Sequence, residues 1–262
     1  MDIIWMGHGS FRIETGDQVL LVDPWLTGNP MLTEDQHEAA ISGATHILIT
    51  HGHFDHTADL VSLSRSLSAP AVGIYDLMGH FEETEGLSTI GFNMSGRVML
   101  GNVAVSMVPA MHSTSLPGAN GAPVGRECGY IIEADGHTLY ISGDTGIMAD
   151  MAWIAEYYQP DVGILSAGGH FTMDMKGAAW AAKKYFDFKT VIPCHYRTFD
   201  ILEQSADDLV AGLPGVDVIE PEVMKPISLL MDAPVSSAAK PEKARSMTSA
   251  SSAAIPSKTS GT

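Results

Sequence analysis

Short runs in which apolar and polar residues alternate recur along most of the chain, and glycine, proline or aspartate separates many of them. Alternation of this kind predicts β-strands, and two pairs of runs predict hairpins, at 11–15 with 18–22 and at 130–133 with 138–141. Continuous apolar runs predict buried strands at 3–6, 45–50, 70–74, 103–108, 162–165 and 190–194. Residues 87–100 predict irregular strands, and residues 216–219 predict an edge strand.

Between these strands, apolar residues return every three or four positions, which predicts helices with one buried face. We expect helices at 34–41, 58–67, 77–85, 148–158, 174–186 and 205–211. Strands and helices together make two β-rich halves. This pattern predicts an α/β fold with two packed mixed β-sheets and helices on both outer faces, a four-layer αββα sandwich.

The composition changes at residue 234. From there Ser, Ala, Lys and Pro dominate and no aromatic residue occurs, which is typical of disorder. We therefore predict one domain at 1–233 and a disordered tail at 234–262. Within the domain, residues 117–125 contain three glycines and two prolines. They predict a long loop, which is either a gate for substrate or a surface connection.

Four potential metal ligands occur together at 51–56, in the sequence His-Gly-His-Phe-Asp-His. The segment lies between a predicted strand and a predicted helix, and open α/β sheets bind ligands at such strand ends. Crowding three imidazoles and a carboxylate is costly unless a cation neutralises and orders them. Imidazole and carboxylate suit divalent first-row metals, of which zinc is the commonest in hydrolysis. The spacing predicts that His51 and His53 grip one ion and that Asp55 and His56 face a second.

The hexapeptide resembles the hallmark of the metallo-β-lactamase superfamily, His-x-His-x-Asp-His. Further segments are similar to one branch of it, the small single-domain metal-dependent hydrolases related to the L-ascorbate-6-phosphate lactonases. These segments are 7–11, 23–24, 27–30, 143–146, 168–173 and 193–196. The resemblance covers residues 1–232, about the whole predicted domain, and implies a metallo-β-lactamase-like sandwich.

The resemblance also implies a dinuclear centre with seven ligands. They would be His51, His53 and His112 for one cation, Asp55, His56 and His195 for the other, and Asp144 as the bridge. Asp55 and Asp144 are the expected catalytic residues. We expect two divalent cations, with Zn²⁺ favoured over Mn²⁺ or Fe²⁺.

Five more residues are candidates for contacts to the substrate or to the ligands. They are His8, Asp23, Ser113, His170 and Arg197. In the superfamily, the acid that matches Asp23 hydrogen-bonds the metal loop. Asp23 could equally be a turn residue at a strand end, and His8 and His170 could equally be structural.

Charge and composition narrow the range of binding partners that we expect. The chain has a net charge of −17, and residues 1–233 carry 10 basic and 30 acidic residues. Such a surface repels polyanions, so nucleic acid is not expected as a partner. No apolar stretch is long enough for a membrane span and no signal peptide is visible, while only two cysteines occur. We expect a cytoplasmic protein with a small-molecule substrate, and homo-oligomerisation stays open.

These observations predict a metal-dependent hydrolase in which a hydroxide between two cations attacks an ester-type bond, in a lactone, thioester or phosphoester. Two alternatives stay open. A mononuclear iron dioxygenase of the persulfide type would need fewer ligands at the second position, and a non-catalytic protein would only bind metal. A redox site of the flavo-diiron type is disfavoured because it would favour an acid at position 53, where this chain has His53.

Overall fold

The alternating segments form two seven-stranded sheets in the part of the chain that the computed structural model describes, residues 1–116 and 124–230. The first sheet contains β1 (Asp2–Trp5), β2 (Phe11–Thr15), β3 (Gln18–Val22), β4 (His46–Leu48), β5 (Ala71–Ile74), β6 (Thr89–Phe92) and β14 (Pro226–Ser228). The second contains β7 (Arg97–Leu100), β8 (Val103–Pro109), β9 (Cys128–Ala134), β10 (His137–Ile141), β11 (Val162–Ser166), β12 (Thr190–Cys194) and β13 (Asp217–Val218). The predicted tail and residues 117–123 of the predicted loop lie outside the described residues.

The two sheets repeat one strand arrangement. In the first, β1, β2 and β3 are antiparallel, and β3, β4, β5 and β6 are parallel. In the second, β8, β9 and β10 are antiparallel, and β10, β11, β12 and β13 are parallel. The edge strands β14 and β7 each add one antiparallel pair. The prediction of two mixed sheets is confirmed.

Helices connect the parallel strands, because a parallel pair needs a crossover. They are α1 (His37–Ile41), α2 (Phe54–Thr57), α3 (Leu60–Leu67), α4 (Tyr75–Glu85), α5 (Met151–Tyr158), α6 (Met175–Tyr185) and α7 (Asp207–Gly212), with a 3₁₀ turn at Glu34–Gln36. Helix α4 packs on β5 and β6, and α6 packs on α5 and α7. The predicted sandwich with outer helices is confirmed.

The two sheets are joined beside the hexapeptide at 51–56. The hydroxyl group of Tyr130 on β9 donates to the carbonyl of Ile49, at 2.5 Å, and the amide of Cys128 donates to the carbonyl of Thr50, at 3.0 Å. Tyr130 is fully buried. These contacts hold the end of β4 against the second sheet, so ligands from the two sheets can meet there.

Four elements differ from the sequence prediction. The four-residue helix α2 precedes the helix that was expected to begin at residue 58, and β14 was not predicted. The irregular strands expected at 87–100 are β6 and β7, and they belong to different sheets.

Cys128 and Cys194 are both buried and free. No helix in the described ranges is long and apolar enough to cross a membrane.

Candidate metal centre

The predicted ligands stand where strands end, all at one side of the sandwich. The hexapeptide follows β4, with His53 as the N-cap of α2 and with Asp55 and His56 inside that helix. His112 follows β8, Asp144 follows β10 and His195 follows β12. The amide of His195 donates to the carbonyl of His8 at 2.9 Å, which ties the end of β12 to the loop between β1 and β2.

Three imidazoles form a first group. His51, His53 and His112 each offer a nitrogen within 4.8 Å of the others. Nε2 of His51 and Nδ1 of His53 face each other at 2.9 Å. His51 is fully buried, while His53 and His112 are half-buried and border the open pocket.

Two carboxylates and two imidazoles form a second, buried group of Asp55, His56, Asp144 and His195, also within 4.8 Å of one another. Oδ2 of Asp144 lies 3.0 Å from Nε2 of His195 and 3.5 Å from Nε2 of His56. Oδ2 of Asp55 lies 3.3 Å from the same His56 nitrogen. Four donor atoms therefore converge on one point.

Asp144 lies between the two groups. Besides its contacts in the second group, its Oδ2 is 3.7 Å from Nε2 of His112 in the first. The structure thus brings all seven predicted ligands together, in the division that the sequence led us to expect. Asp144 occupies the position from which a carboxylate could bridge two cations.

One buried carboxylate orients ligands in both groups. Asp23 accepts hydrogen bonds from the amide of Thr50 at 2.8 Å and from its hydroxyl at 2.6 Å, and it bonds Nδ1 of His56 at 2.8 Å. The same Thr50 hydroxyl is 3.0 Å from Nδ1 of His51. With Nδ1 engaged in this way, both rings direct Nε2 toward the cluster. Such outer partners commonly fix the tautomer of metal-binding histidines.

His8 orients Asp55 in a similar way. Nε2 of His8 is 2.9 Å from Oδ2 of Asp55, and its Nδ1 is 2.8 Å from the hydroxyl of Thr198. Burial, only partly offset by Asp55, lowers the pKa of His8 to about 4. The neutral ring therefore donates to Asp55 and accepts from Thr198. His8 therefore contacts the predicted ligand Asp55, and Asp23 contacts the predicted ligand His56. Both are held by hydrogen bonds in the loops where they lie.

The backbone is strained at this end of the sandwich. His8, Asp23 and His195 have φ values of 52°, 47° and 58°, in the left-handed region that side chains other than glycine rarely adopt. Gly168 lies directly against the backbone of His195. A Cβ atom at position 168 would overlap the His195 carbonyl oxygen, so only glycine fits there. Strain held by surrounding contacts is typical of functional sites.

The donor set fits a divalent cation. Nε2 of His56 is buried and has no hydrogen-bond partner among the described residues, although it points between the carboxylates of Asp55 and Asp144. Two buried carboxylates this close to one ring nitrogen are unfavourable unless positive charge, from a metal ion or from a proton on the ring, lies between them. Imidazole and carboxylate together suit zinc, iron or manganese.

The electrostatics agree with this fit. Although burial opposes the charged form, Asp144 and, after it, Asp55 raise the pKa of His195 to about 9. Burial also opposes the charged form of His56, but Asp23, Asp55 and Asp144 raise its pKa well above the usual range. The Asp144 carboxyl is buried too, yet His195 and His56 hold its pKa well below the usual range. The group therefore attracts positive charge at neutral pH.

A cavity of about 580 Å³ opens onto the cluster. Among the described residues its walls are His8, His53, Phe54, Asp55, His112, Ser113, Asp144, Phe171, His195, Phe199 and Ile201. Its size is in the usual range for small-molecule sites. Ser113 stands at the rim, with its hydroxyl 3.5 Å from Nε2 of His53.

Two predicted contacts are not brought to this cavity. His170 is exposed and borders a separate, shallow cavity beside Glu203, while its neighbour Phe171 faces the cluster. Arg197 is also exposed, and its guanidinium lies over the ring of Tyr196, 5.8 Å from the ring centroid. Its φ of 65° reverses the backbone just after His195 and turns the side chain away.

Sequence reasoning missed six residues that shape the centre: Thr50, Phe54, Phe171, Thr198, Phe199 and Ile201. Thr50 directly precedes the hexapeptide, and a hydroxyl beside a histidine ligand is a signal that could have been noticed. Phe54 lies within the hexapeptide and Phe171 within the segment 168–173, but neither is a metal-ligand type, and Thr198, Phe199 and Ile201 lie in a loop without distinctive spacing.

Fold and centre together define an α/β sandwich with a built cluster of metal ligands at the ends of its strands. The model of the Beta-lactamase superfamily domain matches residues 18–196. A protein of Roseobacter denitrificans named as a UPF0173 metal-dependent hydrolase is 74% identical over 227 residues, which are 87% of this chain and 99% of the relative. A protein of the same name from Ruegeria pomeroyi is 65% identical over 230 residues, 87% of this chain and 100% of the relative.

A solved structure is also similar. It is a metallo hydrolase from the hyperthermophilic archaeon Ignicoccus hospitalis, with a TM-score of 0.75 and 29% sequence identity over 86% of this chain and 97% of that one. The chain therefore belongs to the metallo-β-lactamase superfamily. The predicted enzyme class, a metal-dependent hydrolase, is confirmed.

Proposed function

We propose that the protein hydrolyses an ester-type bond of a small molecule at a centre of two divalent cations, zinc being the favoured metal. The observation that carries this proposal is the position of Asp144 between a three-imidazole group and a second group of ligands. A cytoplasmic location and a small-molecule substrate, predicted from the sequence, are part of the proposal.

The residues divide the work. His51, His53 and His112 would hold one cation, Asp55, His56 and His195 the other, and Asp144 both. Divalent cations bound there supply Lewis acidity and lower the pKa of a water molecule, which makes a nucleophile available near neutral pH.

Asp55 is the proposed proton carrier. It is buried, borders the cavity and accepts a hydrogen bond from neutral His8, so its carboxylate is held facing the site of attack. From there it can take a proton from the attacking water and return one to the leaving group. Asp23, with Thr50, keeps the rings of His51 and His56 correctly turned.

The dioxygenase alternative is weakened by the second group of ligands. A mononuclear iron site would leave that group incomplete, whereas four buried donor atoms converge there. The non-catalytic alternative is weakened by the cavity, which opens directly onto both groups.

Metal content and turnover test the proposal together. The full chain, purified without added metal, should contain about two zinc or manganese ions per molecule by elemental analysis. It should hydrolyse at least one class in a panel of lactones, thioesters, phosphomonoesters and phosphodiesters. Asp144→Asn should lose metal from both groups and abolish turnover.

Asp161→Asn is the matched control. Asp161 also carries a partly buried carboxylate that bonds a histidine, Nδ1 of His137 at 2.9 Å, but it lies outside the cavity. This variant should keep both metals and full turnover. One iron per chain with oxygen consumption would instead favour the dioxygenase, and absence of bound metal would favour a non-catalytic protein.

A further inference from the structure

The outer wall of the cavity is apolar. Phe54, Phe171, Phe199 and Ile201 line it, and their side chains are 54%, 52%, 38% and 58% exposed. They come from three separate segments, namely the hexapeptide, the loop after β11 and the loop after β12. An apolar surface assembled from distant segments around one opening typically marks a binding site.

Phenylalanine is distributed unevenly over the protein. The chain has eight phenylalanines, and all eight lie in the described ranges. Three of them are exposed, Phe54, Phe171 and Phe199, and all three line this cavity. Each exposed ring leaves apolar surface in water at a cost of roughly 25 cal/mol per Å². Among the described residues, exposed phenylalanine therefore occurs only around the predicted metal ligands.

The wall is firmly supported. The ring of Phe199 lies 5.7 Å from the ring of His8 and 6.1 Å from that of buried Trp25. Phe54 packs edge-on against the same Trp25, with ring centroids 5.7 Å apart. Phe171 lies 6.4 Å from the ring of His195. The apolar surface is therefore anchored to residues that contact or supply the ligands.

Polar groups lie on the floor of the cavity, apart from Ser113 at its rim. The polar residues of the cavity are the metal ligands, His8 and Ser113, and no Lys or Arg is among the described residues that line it. A substrate carrying phosphate or carboxylate away from the reacting bond would find no partner for its charge.

We propose that the substrate is a neutral carboxylic ester, lactone or thioester whose acyl part is apolar and packs against Phe54, Phe171, Phe199 and Ile201. This inference rests on the proposed hydrolase function and names its substrate class. Among the three bond types considered above, it favours the lactone and the thioester, because only bound cations could match the charge of a phosphoester at this cavity.

The reaction balances without a further reactant. Water adds through its oxygen to the acyl carbonyl carbon, and the bond from that carbon to the ester oxygen or thioester sulfur breaks. The leaving oxygen or sulfur takes up a proton. The products are a carboxylic acid, which ionises, and an alcohol or thiol; a lactone instead gives a single hydroxy acid that carries both groups.

Matched p-nitrophenyl compounds test this substrate class on the metal-loaded full chain. Acetate, butyrate and hexanoate esters form the apolar series. The adipate monoester matches the hexanoate ester but carries a terminal carboxylate, and p-nitrophenyl phosphate and bis(p-nitrophenyl) phosphate represent phosphoesters. We expect kcat/KM to rise about fourfold for each methylene that reaches the wall. The adipate ester and both phosphoesters should react at least tenfold more slowly than the hexanoate ester.

A charged substitution in the wall should reverse the preference. Ile201→Lys should lower kcat/KM for the hexanoate ester at least tenfold and raise it for the adipate monoester. Val210→Lys is the control, because Val210 is also exposed but lies on α7, outside the cavity. It should leave both values unchanged, and all variants should keep the metal content and melting temperature of the parent.

Measuring the binding of compounds that cannot be hydrolysed tests this inference independently of the hydrolase proposal. Methyl alkyl ketones of five, seven and nine carbons cannot be hydrolysed, and calorimetry should show affinity rising with length and falling in Ile201→Lys. If no ester is cleaved but this trend appears, the hydrolase proposal fails and the apolar site stands. If esters are cleaved without dependence on length, or phosphoesters react best, the hydrolase proposal stands and the apolar-substrate inference is overturned.

Light scattering, which measures the oligomeric state, tests whether the apolar wall is instead an interface between copies of the chain. If the parent is a dimer, Ile201→Lys is a monomer and the dependence on acyl length is unchanged, then the wall is an interface between copies of the chain. That result would also overturn the inference.

Discussion

Asp23 and Asp144 leave equivalent strands of the two sheets, and their carboxylates face opposite nitrogens of the same imidazole ring, that of His56. Asp23 follows β3 and lies 2.8 Å from Nδ1, while Asp144 follows β10 and lies 3.5 Å from Nε2. In the first sheet, β3 is antiparallel to β2 and parallel to β4. In the second sheet, β10 is likewise antiparallel to β9 and parallel to β11. The two acids therefore have matching places in the fold and different roles, one orienting a ligand and the other serving as one.

Replacing Asp23 should weaken metal binding without removing any ligand. Asp23→Asn cannot accept all the hydrogen bonds from Thr50 and His56, so we expect metal affinity to fall about 10- to 100-fold. Competition with a chromophoric chelator measures it. Asp59→Asn is a close control, because buried Asp59 also accepts three hydrogen bonds, from Leu26 and Thr27. Asp59→Asn should lose stability but keep its metal, and equal affinity in both variants would remove the assigned role of Asp23.

The chain of hydrogen bonds from Thr198 through His8 to Asp55 should affect turnover more than substrate binding. Thr198→Val removes one hydrogen bond, worth about 1 kcal/mol, so kcat should fall about fivefold with KM nearly constant. His8→Phe removes the donor to Asp55 and should lower kcat about 10- to 100-fold. Steady-state kinetics with metal content measured in parallel would detect both effects. Thr138→Val, on β10 and away from the cavity, should not change kcat; an unchanged kcat in His8→Phe would contradict the proposed support of Asp55.

The glycine below His195 should tolerate no side chain. Gly168→Ala forces a methyl group against the His195 carbonyl, so we expect a loss of about 1–3 kcal/mol in unfolding free energy. The second group of ligands should also bind its cation more weakly. Gly79→Ala is the control, since Gly79 lies on α4 with open space around it and alanine favours helix. Thermal unfolding and metal titration of both variants check the prediction, and a Gly168→Ala protein as stable as its parent would contradict it.

Metal removal should lower stability because the buried carboxylates then lose their counter-charge. A cation present at 1,000 times its dissociation constant contributes about 4 kcal/mol, which corresponds to a fall in melting temperature of about 10 °C on chelation. Scanning calorimetry with and without chelator, followed by addition of zinc, measures this shift. Asp144→Asn should respond little to the chelator, and a parent protein that responds equally little would speak against a built metal site.

The sequence predicts elements with strong periodicity well. The strand expected at 103–108 corresponds to β8 (Val103–Pro109), and the helix expected at 174–186 corresponds to α6 (Met175–Tyr185). Short elements carry too little pattern. Helix α2 has only four residues, and β14 contains Pro226 and is specified by pairing with β1, more than 200 residues earlier. Tertiary contacts, not local preference, determine such elements.

The ligands could be predicted because a compact motif and strand ends mark them. The wall of the cavity could not, since Phe171 and Phe199 become neighbours of the ligands only when the loops of the second sheet fold back. Arg197 and His170 were predicted as contacts from their places after the strands expected at 190–194 and 162–165. Backbone turns at Gly169, with a φ of 89°, and at Arg197 itself direct these side chains outward, and sequence spacing does not reveal such turns.

Each ligand group draws on loops of both sheets: His51 and His53 meet His112, and Asp55 and His56 meet Asp144 and His195. During translation, the earlier half therefore emerges with an incomplete set of ligands. The second group can close only after residue 195 has left the ribosome and both sheets have docked. Uptake of a cation by the second group would thus report that strands of both sheets are in place, and products terminated before residue 195 would lack that group.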